Sequence, residues 1–201
     1  VTMKQKFFKF CSVLLTLTII LSVFAFATTN VAAAETSKHK DHIVDRGQGL
    51  KNTYAKLKAG KEVNVFYFGG SVTVGSGSTM GNSWRELTGK WLQTNFPNAT
   101  VNNINAAYGG TGSWFGLYRV VEEILPKNPD LIFIEFSIND FYETVPAKEA
   151  SRQFETIIRT IRKQAPDCDI INVLTTEKSK ILNLITDDLL HSQAEAHEKI
   201  A

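Results

Sequence analysis

The sequence predicts an α/β fold built on a parallel sheet covered by helices on both faces, and three observations carry that prediction. Short apolar runs alternate with longer stretches of helical period along the chain. The runs are nearly continuous in apolar letters, as strands buried on both sides must be. Pro97, Pro129 and Pro166 each fall in a gap between a helical stretch and the next run, so none interrupts an element.

The elements follow in order. VNVFYF (63–68) is the first strand, and a helix is expected around 82–95. VNNIN (101–105) is the second strand, followed by a helix around 114–125. LIFIEF (131–136) is the third, with a helix around 147–164. DIINVLT (169–175) is the fourth. After Thr175 the pattern reads mainly helical to Ala201, without a stop signal or a closing strand. That predicts a last strand and helix beyond the sequence given.

The chain has 201 residues, 43% of them apolar and 21% charged, which suits one globular domain. Its first segment stands apart. Lys4, Lys6 and Lys9 precede an uncharged run from Phe10 to Ala27, and small residues at Ala32 and Ala34 follow. This is the layout of a secretory signal peptide, expected to span 1–34. An uncleaved anchor is the rival, because the run is just long enough to cross a bilayer. Residues 35–50 are polar and aperiodic and read as a linker, so the domain occupies 51–201. Secretion is expected, with no stable membrane association after cleavage.

Three of the 22 basic residues leave with the signal, and the 19 that remain (22 − 3) stand against 20 acidic ones, so the remaining domain is close to neutral. It has no basic cluster interleaved with aromatics, so no nucleic-acid partner is expected. Of the two cysteines, Cys11 lies in the signal and Cys168 is left alone. One thiol closes no internal bridge, and the domain must hold by core packing.

In a parallel α/β sheet, ligand sites form in the loops at the C-terminal ends of the strands. Three such loops stand out: Gly69-Gly70-Ser71 after the first strand, YGGTGS with Gly109 and Gly110 after the second, and SIND with Asn139 and Asp140 after the third. A phosphate cradle fits the first loop poorly. It contains no lysine and no G-x-x-x-x-G-K-[ST], and GSGSTMG (75–81) misses G-x-G-x-x-G by one residue. A nucleophile fits better, since two glycines allow the sharp turn that presents Ser71. Gly110 leaves its N–H unscreened, and Asn139 offers a carboxamide donor. Each residue alone also suits a plain turn or a helix cap. Their placement after three successive strands argues for a shared site.

GGSVT, the glycine of YGGTGS and IND together resemble the first three blocks of the SGNH hydrolases, also called GDSL-type esterases and lipases. The resemblance covers roughly 62–201. Gly70 stands where the commoner pattern has Asp, and Ser137 where Gly-x-Asn-Asp has its glycine. It implies a three-layer α/β/α sandwich with a flavodoxin-like parallel sheet. It also implies Ser71 as nucleophile and an oxyanion hole made by the N–H of Ser71, the N–H of Gly110 and the side chain of Asn139. No cofactor or metal is implied. The implied substrate is a small acyl ester or an O-acylated carbohydrate. The rival is a catalytically inactive carbohydrate- or ligand-binding module on the same fold.

The family's general base lies in an Asp-x-x-His after a fifth strand. Asp188 to His191 spells DLLH, but too few residues separate it from Thr175, and it reads as a chance match inside a helix. His197 reads as a surface or flanking position of that helix, and His39 and His42 lie in the linker. The base is therefore expected beyond Ala201, and a chain ending there is expected to cleave p-nitrophenyl acetate barely above background.

Overall fold

The computed structural model describes residues 49–175 and 188–200, with the backbone alone for 188–193. The expected signal peptide and almost all of the expected linker lie outside the described residues. Four strands, β1 (Glu62–Gly69), β2 (Thr100–Asn105), β3 (Leu131–Glu135) and β4 (Asp169–Asn172), form one sheet in the order β2-β1-β3-β4, every pair parallel. That order is the flavodoxin-like one, in which the chain reverses its direction of winding between β1 and β3.

The helices are α1 (Lys51–Lys58), α2 (Ser71–Val74), α3 (Trp84–Asn95), α4 (Ser113–Arg119), α5 (Ser137–Tyr142), α6 (Ala147–Gln164) and α7 (Asp188–Ile200). A π turn, Val120–Ile124, and a 3-10 turn, Leu125–Lys127, extend α4. Alternation along β1 divides the core into two layers. Val63, Val65 and Tyr67 face Leu57 of α1 and Leu92 of α3. Phe66 and Phe68 face the other way, onto Val120, Ile124, Phe154, Ile157 and Ile161 of the helices behind, with Ile200 of α7 packed against them. Every residue of β3 is buried, which explains why LIFIE carries no polar alternation apart from its terminal glutamate.

Local signals fix several boundaries. Ser83 caps α3 in a full capping box, its hydroxyl accepting the Glu86 N–H while the Glu86 carboxylate accepts the Ser83 N–H. The Ser83 hydroxyl, which also donates to the Glu86 carboxylate, and the Ser83 N–H hold that half-buried carboxyl below its ordinary range. Along α6, Ala150, Phe154, Ile157 and Ile161 are buried on one face, so helical period alone sets its orientation.

Three differences from the sequence reading matter. The GGS turn is followed at once by the short helix α2, and SIND is itself helical, so Asn139 lies inside α5 and does not cap it. β4 ends at Asn172, although the Val173 N–H still donates to the Ile134 carbonyl at 2.8 Å. His197 is fully buried, with its ring stacked on Phe154 at 4.2 Å, so it is no surface position. The helical pattern of α7 is evident in the sequence. The side on which its neighbours pack is a tertiary fact.

Candidate active site

The three loops singled out by the sequence meet at the C-terminal end of the sheet. β1 and β3 are adjacent, so the loops after them start side by side, with Gly69 paired to Glu135 in register. The Gly70 N–H donates to the Glu135 carbonyl at 3.3 Å. Beyond this point the Asn139 carboxamide lies directly on Gly70. A Cβ on Gly70 would stand 2.5 Å from Oδ1 and 2.8 Å from Nδ2, closer than any side chain tolerates. A side chain at 70 would therefore force the Asn139 carboxamide to shift, and this is a matter of contact with no positive φ involved: φ at Gly70 is −91°.

The second loop is drawn against the first by backbone bonds that continue past the end of β2. The Ala106 N–H donates to the Tyr67 carbonyl at 2.9 Å, and the Tyr108 N–H to the Gly69 carbonyl at 3.0 Å. A Cβ on Gly109 would lie 3.7 Å from the Ser71 Cβ, at ordinary contact distance. Gly110 follows with φ +71°, a left-handed conformation that favours glycine, and no atom crowds it. Ser71 is half-buried at the first position of α2. Thus Ser71 stands beside the Gly109-Gly110 step, and Asn139 lies on the residue before Ser71.

Asp140 ties the second and third loops together. Its Oδ1 accepts the Ser113 N–H at 2.7 Å, and the Ser113 hydroxyl donates to Gln153 of α6 at 2.7 Å. Its Oδ2 stands 2.9 Å from His197 Nε2, at an angle that falls short of a hydrogen bond. On the rim, the Trp114 Nε1–H donates to Glu143 Oε2 at 2.6 Å, bridging the same two loops. Partial burial pushes the Glu143 carboxyl above its ordinary range, against the pull of that bond.

Arg119 braces the second loop from behind. Its guanidinium is buried, donates to the Ala106 carbonyl and to Glu123, each at 2.7 Å, and stacks 3.9 Å from the centre of the Tyr108 ring. The bond from Arg119 holds the Glu123 carboxyl below its usual range. Sequence reasoning missed Arg119, Glu135 and the burial of His197. An arginine in the last turn of a helix has the same letter whether it faces water or core, so the sequence carried no signal for it. The Asp140 contacts had one signal, the SIND motif itself.

Among the described residues no group of three or more His, Cys, Asp or Glu side chains could hold a metal ion, and no helix is long and apolar enough to cross a membrane.

The GDSL-like lipase/acylhydrolase family model matches residues 67–200. No curated protein is significantly similar in sequence. Among solved structures, a two-domain esterase (CEX) active on acetylated mannans, co-crystallized with mannopentaose, is 29% identical over 74% of this chain and 39% of its own, with a TM-score of 0.62. The chain therefore spans about two fifths of that esterase's length. An acetyl xylan esterase, AlAXEase, is 20% identical over 69% of this chain and 72% of its own, with a TM-score of 0.59. TesA is 16% identical with the same coverage and TM-score. These last two are similar in fold.

Proposed function

The chain belongs to the GDSL-like lipase/acylhydrolase family, and from that premise we propose that it cleaves ester bonds by serine acyl transfer to water, with Ser71 as the nucleophile. Ser71 Oγ attacks the ester carbonyl, and the tetrahedral oxyanion is met by the N–H groups of Ser71 and Gly110 and by the Asn139 carboxamide. The alcohol departs with a proton, a water then attacks the acyl-enzyme, and the carboxylic acid leaves as Ser71 is restored.

One observation carries this reading: Asn139 packs on Gly70 while Gly109 lies beside Ser71, so the three loops share one place at the point where the sheet reverses its winding. The proton acceptor is a histidine other than His197. That ring is closed to solvent behind Asp140 and Phe154, and a general base must reach the proton it takes.

The substrate we propose is an O-acylated extracellular carbohydrate, met by a secreted enzyme after signal cleavage. The likeness to an esterase active on acetylated mannans supports that substrate class.

The test compares full-length protein with Ser71→Ala and Asn139→Ala on p-nitrophenyl acetate and on an O-acetylated manno-oligosaccharide. Ser71→Ala is expected to fall to background on both. Asn139→Ala is expected to lose about 10²–10³ in kcat with little change in KM, as for loss of one oxyanion donor. Turnover that survives Ser71→Ala would refute the mechanism.

A further inference from the structure

Beneath the loop that carries Ser71 lies a buried carboxyl for which the acyl-transfer steps have no use. Glu135 ends β3 and is closed to solvent. Its Oε2 accepts the hydroxyl of Thr73 at 2.9 Å, and its Oε1 accepts the hydroxyl of Thr175 at 2.6 Å. Its backbone carbonyl takes the Gly70 N–H. Thr73 is itself fully buried, and its hydroxyl lies where a Cβ on Gly69 would meet it at 2.6 Å. One residue therefore holds the segment on both sides of Ser71, at Gly70 and at Thr73.

Stability does not account for an acid here. Burial pushes the Glu135 carboxyl above its ordinary range, and the charge of nearby Asp140 adds to that, while the bonds from Thr175, Thr73 and Gly70 pull the other way. A folded-state pKa raised above the unfolded value means that the group's stabilising contribution is complete below the unfolded pKa. It is lost as pH rises through the folded one. Above the unfolded pKa the buried acid therefore costs stability whichever form it takes, and glutamine would fill the same space more cheaply. What the carboxylate does that glutamine does not is accept from both hydroxyls at once. With an amide, one threonine must turn its hydroxyl round to face N–H donors.

We propose that Glu135 is a positioning residue for Ser71, fixing the nucleophile-bearing turn from below through the Thr73 hydroxyl. The inference rests on the reading of Ser71 as nucleophile, but the placement itself can be measured without any reaction.

The variants are Glu135→Gln, Thr73→Val and the double substitution in the full-length protein. Each single change is expected to lower kcat on p-nitrophenyl acetate about tenfold with KM within about twofold, and to slow fluorophosphonate labelling of Ser71 by the same factor. The double variant is expected to lose no more than the worse single, because both changes act on the one contact between Glu135 and Thr73. Glu135→Gln should match or exceed the wild-type Tm at pH 7, with the gap closing toward pH 4. Amide exchange across residues 70–75 is expected to accelerate about tenfold in both single variants.

Unchanged exchange in that segment overturns the inference, whether or not the wild-type chain cleaves esters. So do losses that multiply in the double variant, or a fall in the Glu135→Gln Tm at pH 7 that tracks its lost activity. A wild-type chain that neither turns over nor labels, with exchange behaving as expected, overturns the esterase reading and leaves the positioning role standing.

Discussion

His197 Nε2 stands 2.9 Å from Asp140 Oδ2, both residues are closed to solvent, and the other oxygen of Asp140 holds the Ser113 N–H. The C-terminal helix of the described chain thus reaches under the site and supports the residue next to Asn139. His197→Ala removes a ring stacked on Phe154 and leaves a buried carboxylate oxygen facing a cavity. A loss of about 3 kcal/mol in urea unfolding is expected. A variant within about 0.5 kcal/mol of wild type would mean that the contact contributes nothing.

Two neighbouring glycines should respond very differently to the same methyl group. At Gly70 the added Cβ would meet Asn139 at 2.5 Å, whereas at Gly109 it would sit in ordinary contact with Ser71 at 3.7 Å. Gly70→Ala is expected to lose about a hundredfold in kcat by displacing the carboxamide, and Gly109→Ala less than about tenfold. Steady-state kinetics with circular dichroism as a folding control decides it. Equal losses would show that the packing of Asn139 on Gly70 is immaterial.

Cys168 should be chemically silent in the folded protein. It is buried in the core behind β3, and burial pushes its thiol up to about 12. Iodoacetamide at pH 8 is expected to leave the Cys168 peptide unmodified in native protein and to modify it fully in urea. Rapid native labelling would contradict the core packing described for α6 and β4.

Much of the fold was legible because its signals are local. The runs in β1 and β3, the period of α6 and the prolines between elements depend on a few adjacent residues. The candidate site was legible for a related reason. Ser71, Gly110 and Asn139 follow the ends of β1, β2 and β3, and in a parallel sheet those ends share one edge. What stayed hidden depends on partners distant in sequence. Glu135 is one polar letter within LIFIEF, and nothing near it in the sequence signals that Thr73 and Thr175 close on it. His197 looked like one more polar letter on an amphipathic helix until Asp140 and Phe154 enclosed it.

The most direct measurement of the central claim is a crystal structure of the full-length protein after reaction with a phosphonate ester, whose tetrahedral phosphorus imitates the attacked carbonyl. The account predicts a covalent bond to Ser71 Oγ, with one phosphoryl oxygen within about 3 Å of both the Gly110 nitrogen and Asn139 Nδ2. A phosphonate attached elsewhere, or one on Ser71 whose oxygens touch neither donor, would contradict it.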